Sequence, residues 1–368
     1  MKKINFISNQ DLNVTSGGWS GINFNIHREL EKHLKVNYVG PINPPVNLLE
    51  KSHSKLYRTL GLRGKFNFFS ESRLQKIDTE VKKKLEKADY NLFFGQTAWL
   101  KCNYNVPYGV YLDADFITYL KIFSKIETFN KKDIDRIAKQ EEKWLQNATH
   151  IFVGSQWAWD EMVKVYSLNE SQKHVVYTGG NVEMPVKDKY DGGYNFVFIS
   201  LNFEKKGGHI CVGAFKRIRK RYPSATLKIM GEKPPNEVLE EPGIKYVGLL
   251  KKTDAEDLKK FKDILSKAFL LVHPTKMDTM GAVLIEAGYF GCPSIAPRSF
   301  GIPELVKHDE TGIIIENPFT AEDFATEIEK LLKDKKKYLQ MRANAWVYTR
   351  NEMTWEAIGH KINKQIMG

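Results

Sequence analysis

FLLVHPTKMDTMGAVLIEAGYFGCP, residues 269–293, decides how this chain is read. FLLVHPT is a short apolar run, the pattern of a strand buried on both faces. A loop over 274–280 follows, and an apolar helix is predicted to begin near Gly281. Such a helix start leaves free backbone N–H groups at Met280, Gly281 and Ala282, a set that can hold an anion. Gly281 lets a ligand approach the backbone closely. Two carboxylates frame the segment. Asp278 precedes the apolar run, and Glu286 lies about a turn and a half into it. Asp278, or Thr279, can cap the helix or contact a ligand; both readings are open. A carboxylate inside an apolar helix needs a partner, either a buried Arg or hydroxyl groups of a ligand.

The same alternation extends outward. NFVFISL, the helix 209–222, ATLKIMG, IKYVGLL and the helix 254–268 lead into this stretch. Toward the N-terminus, KINFISN (3–9), the helix 22–34, KVNYVGP (35–41), YNLFFGQ, YGVYLD, HIFVGS (150–155) and KHVVYTGG (173–180) repeat the pattern. Strands alternating with helices predict parallel sheets with right-handed crossovers. The expected fold class is therefore α/β, with two Rossmann-like domains facing each other across a cleft. The polar stretch VKDKYDGGYN (186–195) reads as the linker between them. The expected divisions are 1–185, 186–345 and a helical tail, 346–368, packing back on the first domain.

The length, 368 residues, suits two domains. A net charge of +12 calls for an anionic partner: nucleic acid, a membrane surface or a phosphorylated ligand. The three cysteines are scattered, which argues against a zinc site or a disulfide framework and fits a reducing compartment. The N-terminus reads as neither a signal peptide nor a membrane span, and no run approaches ~20 apolar residues.

PTKMDTMGAVLIEAGYFGCPSIAPRSFGIPELVKHDETGIII resembles the signature of the GT-B glycosyltransferases, specifically glycosyltransferase family 4. The family pattern is an acid, seven residues, then Glu, followed by GxP, G-x-P-E and D-x-x-T/N-G. These fall here on Asp278, Glu286, Gly291-Cys292-Pro293, Gly301-Ile302-Pro303-Glu304 and Asp309-Glu310-Thr311-Gly312. Asp278 stands where the family usually has Glu. The resemblance implies a retaining glycosyltransferase that uses a nucleotide-sugar as co-substrate, with no metal and no other cofactor. It implies that Asp278 holds donor-sugar hydroxyls and Glu286 the ribose, with the 280–282 amides at the diphosphate. It places Lys206 at the leaving diphosphate, although a solvated lysine is the commoner fate. The family's Arg position falls on Leu201, or on Asn202 with a one-residue slip. Gly248 and Leu249, with Leu250, correspond to backbone beside the nucleotide base. Gly17 and Gly18 of SGGWSG correspond to a loop at the donor phosphates.

Asp113, at the end of YGVYLD, stands near where family members often place a His beside the reacting sugar. It is a candidate catalytic or acceptor contact, with helix capping as the equal alternative. YLDAD is formally a DxD, yet no matching set of metal ligands accompanies it. Residues 51–87 hold eleven Lys/Arg against four Asp/Glu, with Leu56, Tyr57, Leu60, Leu62, Phe66, Phe68 and Phe69 interleaved. This stretch can lie on an anionic membrane or form a helix pair whose apolar residues face the sheet.

The expected partners are thus a nucleotide-sugar donor and a glycan or lipid-linked acceptor. The resemblance implies a setting in surface polysaccharide or lipopolysaccharide assembly, in the cytoplasm and peripheral to the inner face of the plasma membrane. A non-catalytic GT-B binding protein and a GT-B nucleotide-sugar epimerase are the alternatives. A nucleic-acid binder ranks last, because no RNA- or DNA-binding motif accompanies the charge.

Overall fold

The computed structural model describes residues 1–14, 18–95 and 99–368, and the chain forms two compact units. The first comprises Met1–Tyr177 with Ile358–Gly368, and the second Thr178–Ala357.

The first unit holds β1 (Lys3–Ser8), β2 (Lys35–Val39), β3 (Tyr90–Phe94), β4 (Tyr108–Leu112), β5 (His150–Val153) and β6 (Lys173–Val175). They form one sheet in the order β2-β1-β3-β4-β5-β6, every ladder parallel. The central strands are apolar throughout because helices cover both faces. Ile4, Phe6, Ile7, Leu92 and Val110 are fully buried. The chain moves from β1 to β2 on one side and to β3 on the other. The β1/β3 boundary is therefore a topological switch point, where α/β sheets open a crevice at the carboxyl ends of their strands.

The second unit repeats the plan with β7 (Asn195–Ser200), β8 (Thr226–Gly231), β9 (Ile244–Gly248), β10 (Leu270–Val272), β11 (Ser294–Pro297) and β12 (Gly312–Ile315). The order is β12-β11-β10-β7-β8-β9, again all parallel, so its switch point lies between β7 and β10. One apolar cluster includes Phe196, Phe215 and Phe324; another includes Leu271, Leu284 and Ile285.

The segment 186–195 belongs to the second unit. The nearly buried Arg342 shows why it docks there. Its guanidinium donates to both oxygens of Asp188, at 2.6 and 2.7 Å, and to the carbonyls of Ala268 and Phe290, each at 2.9 Å. The tail is two helices, Lys335–Glu352 and Trp355–Met367. From Ile358 onward it belongs to the first unit, where Lys2 Nζ donates to the Ile366 carbonyl at 2.5 Å.

Residues 51–87 divide in two. In the helix Glu71–Lys84 the apolar residues Leu74, Ile77 and Val81 are buried, as in a helix facing the sheet. The helix Leu48–Thr59 and the turn after it instead leave Leu48, Leu49, Leu56, Tyr57, Leu60 and Leu62 exposed. Phe69 is buried and Phe66 half-buried.

Glu141 is among the buried carboxylates of the first unit. Glu141 lies in the helix Lys131–Gln146, and its Oε2 accepts from the Phe116 N–H at 2.8 Å and the Tyr166 hydroxyl at 2.7 Å. Burial, and then the charge of Asp115, push it from 4.5 up to about 8; the two hydrogen bonds oppose this but do not offset it. The unfolded chain therefore gives up this proton near pH 4.5 while the folded protein keeps it. Stability is lost as pH rises from there to about 8, by on the order of 5 kcal/mol. Glu141→Gln removes that loss. Its apparent Tm, measured against wild type by thermal scans, is expected to gain several degrees between pH 5 and pH 8.5.

Candidate active site of the second unit

Two loops leave the carboxyl ends of the strands at the β7/β10 switch point. The loop after β7 carries Lys206; the loop after β10 runs from His273 to Met280. Gly207 fastens them together. It has a left-handed φ of 76°, and a Cβ there would stand 2.0 Å from the Pro274 carbonyl oxygen. Any side chain would push the loops apart. The Lys276 N–H donates to the Lys205 carbonyl at 3.2 Å across the same seam.

Lys206 is drawn inward by this packing. Its Nζ donates to the Met277 carbonyl at 2.7 Å and to Asp278 Oδ2 at 2.5 Å. Asp278 Oδ1 accepts from the N–H groups of Met280 at 3.3 Å and Gly281 at 3.0 Å. Two of the three amides read as free from the sequence are thus occupied by the Asp278 carboxylate, because the loop turns back before the helix begins. Asp278 closes this turn, while Gly281, with a left-handed φ of 71°, is the residue that caps Ala282–Tyr289. Burial alone raises the Asp278 carboxyl. The His273 hydrogen bond, at 3.3 Å, and the Lys206 charge outweigh it and hold the group well below the usual carboxylate range. His273 is 1% exposed, and its Nδ1 has no hydrogen-bond partner.

Glu286 is fully buried. Its Oε1 accepts from the Asn181 N–H at 2.9 Å and from Lys252 Nζ at 2.5 Å. Its Oε2 has no partner. The buried carboxylate does need a cation, but the cation is Lys252 and not an Arg. Lys252 follows β9, and its ammonium also lies 4.8 Å from the Phe261 ring centroid. A lysine one turn before a capped helix reads as solvated, so only the orphan charge of Glu286 could have flagged it.

The remaining candidates are spread out. Gly248 ends β9 with φ at 105° and open space on its Cβ side, and Leu249 is half exposed. Leu201, at the Arg position of the resemblance, is 77% exposed. In the first unit Asp113 follows β4 and is partly buried; it is Asp115 that caps the helix Phe116–Phe123. Gly18 opens the helix Gly18–Glu31, and Gly17 lies outside the described residues. Among the described residues no three His, Cys, Asp or Glu side chains cluster as metal ligands would.

The Lys206–Asp278 pair and the buried Glu286 carboxylate thus stand at the switch point of a doubly wound sheet, the place where such folds bind ligands. The family described as glycosyl transferases group 1 matches residues 181–346. That match covers most of the second unit, and the two parallel six-stranded sheets are those of the GT-B fold. The chain is 26% identical over 185 residues to the GDP-mannose-dependent alpha-(1-6)-phosphatidylinositol monomannoside mannosyltransferase of Mycobacterium tuberculosis, covering 47% of each chain. It spans about half the length, or less, of the first curated relatives it matches. Two solved structures share the fold over nearly the whole chain. Anabaena HepE, in complex with UDP and glucose, has a TM-score of 0.68 at 16% identity and 100% coverage of both chains. Sucrose-phosphate synthase from Thermosynechococcus elongatus has a TM-score of 0.71 at 18% identity, covering 99% of this chain and 98% of that one.

Proposed function

We propose that the protein transfers a sugar from a nucleotide-sugar to a hydroxyl of a glycan or glycolipid, with retention at the anomeric carbon. The observation that carries this reading is one loop-and-helix segment that draws Lys206 in from the neighbouring loop and holds a buried carboxylate with an unmet oxygen. In this reading the Glu286 Oε2 accepts the ribose hydroxyls, and Lys252 holds Glu286 in place. Lys206 and the Ala282 amide, joined by the Met280 and Gly281 amides once Asp278 yields them, stabilise the departing diphosphate. Gly248 and Leu249 lie along the base. Asp278 contacts the donor sugar, Gly17 and Gly18 approach the phosphates, and Asp113 orients the acceptor. Retention needs no strong protein base if the departing phosphate takes the acceptor proton on the same face.

The carboxylate of Asp278 sits where the diphosphate would bind and neutralises the lysine that would receive it. Asp278→Asn frees Lys206 and removes this repulsion. Its affinity for the nucleoside diphosphate, by calorimetry, is expected to rise about threefold or more, while sugar transfer falls at least tenfold. Parallel loss of both would refute the competition.

The exposed apolar face at Leu48–Leu62, set among Lys51, Lys55, Arg63 and Lys65, supports a peripheral site on an anionic membrane. Among the described residues no helix is long and apolar enough to cross one. Exposed Leu side chains inserted into lipid contribute about 2 kcal/mol each. The pair Leu56→Ser and Leu60→Ser is expected to lower co-sedimentation with phosphatidylglycerol vesicles by tenfold or more, leaving nucleotide affinity unchanged.

The exposed Leu201 favours one second reading, a scaffold that binds donor without turnover. Proton NMR of the protein with nucleotide-sugars and glycan or glycolipid acceptors separates the two. A new glycoside with the donor's anomeric configuration supports transfer; donor binding with no product over a broad acceptor set supports the scaffold; donor converted to a free epimer supports an epimerase.

A further inference from the structure

The first unit has a pocket of about 360 Å³ that the sequence reading did not foresee. It lies at the β1/β3 switch point, since Asn9 and Gln10 follow β1 and Gly95 follows β3, and all three line it. Its walls are aromatic. Phe69 and Phe116 are buried with ring centroids 5.1 Å apart, Trp19 meets Tyr111 edge-on at 5.7 Å, and Tyr119 stands at the rim, 37% exposed. Its polar lining includes Gln10 and Glu141. Both hydrogen bonds to Glu141 fall on Oε2, so Oε1 carries none. Among the described residues no Lys, Arg or His lines this pocket, in a chain whose net charge is +12.

We propose that this pocket is the acceptor subsite and that it takes a single uncharged sugar ring, with Glu141 reading its hydroxyls. The proposal rests on the glycosyltransferase reading and names the acceptor's chemical class. Flat aromatic faces suit the C–H faces of a pyranose, and a few fixed polar groups suit its hydroxyl edge. The volume is at the low end of the ~300–1,000 Å³ usual for small-molecule sites, a size for one ring. A phosphate or uronate would meet no cation among the described lining residues and would lie against the Glu141 carboxyl. Such an unpaired buried anion is strongly disfavoured. A lipid chain would strand the Glu141 carboxyl and the Gln10 amide against hydrocarbon. A carboxyl kept protonated near neutral pH can also donate to a sugar oxygen.

Calorimetry on the whole chain without donor tests this. The probes are the methyl glycosides of glucose, galactose, mannose and N-acetylglucosamine, set against methyl glucuronide and hexose 6-phosphate. At least one neutral glycoside is expected to bind with a millimolar Kd, and the anionic probes at least tenfold more weakly. Tyr119→Ala and Trp19→Ala are each expected to lose tenfold or more. Glu141→Leu should lose as much, with Glu141→Gln restoring affinity to within threefold, and nucleotide affinity verifies that each variant is folded. The proposal is overturned if no neutral glycoside binds to protein that still binds a nucleotide, if an anionic or acyl-chain ligand binds as well or better, or if the variants change nothing. Glycoside binding with no nucleotide binding would leave the pocket standing and overturn the transferase reading instead.

Discussion

Glu286→Gln is expected to weaken nucleotide binding by ten- to a hundredfold while leaving the protein folded. Hydrogen bonds to a charged acceptor are worth ~1.5–3 kcal/mol, and the unmet Oε2 is the acceptor proposed for the ribose. Glutamine fits the same space, and its amide oxygen can keep the Asn181 N–H satisfied. Lys252 loses its counter-charge, but its side chain is 21% exposed and can turn toward water. The cost in stability should therefore stay below the ~3–5 kcal/mol of a fully buried broken pair. Lys252→Met offers the matching control. It leaves Glu286 fully buried without its cation, so it should be the more destabilising of the two. Calorimetric titration and thermal scans on both variants measure these effects. Unchanged affinity in Glu286→Gln would remove the ribose assignment.

Lys206→Ala is expected to have the largest effect on turnover. Removing one preorganised donor from a developing negative charge typically costs about 10²–10³ in kcat, or ~2.7–4 kcal/mol. The fold should tolerate the change. Asp278 keeps its His273 contact and its two backbone N–H donors, and Gly207 still ties the loops together. Steady-state kinetics with a saturating donor test this. A fall in kcat with little change in KM is the signature of a group that acts on the leaving diphosphate. A change confined to KM would make Lys206 a ground-state binder only.

The residues that carried the fold in the sequence are those whose environment leaves them no choice. A run such as FLLVHPT cannot be a half-solvated strand, and VLIEAGYF cannot be an amphipathic surface helix, so β10 and the helix after it were legible. So was the need of Glu286 for a partner. Its identity was not, because Lys252 lies 34 residues away in the chain among other lysines, and only folding brings it to Glu286. The occupied amides at Met280 and Gly281 depend on a loop turning back on itself, which side-chain type at Asp278 allows but does not require. Glu141 was hidden for a different reason. In KKDIDRIAKQEEKWLQ it is one charge among many, and only the packing of Phe116 and Tyr166 separates it from its solvated neighbours. The break between the two tail helices was equally hidden, since neither Gly nor Pro marks it at Met353–Thr354.

The most direct test of the account is calorimetric titration of the protein with UDP, GDP, ADP and dTDP, each with and without EDTA. The account expects one nucleotide to bind at a single site with an affinity that EDTA does not change, and the same titration on Glu286→Gln to show it weakened. Binding by none of the four would contradict the Lys206 and Glu286 assignments together, and with them the proposed transfer.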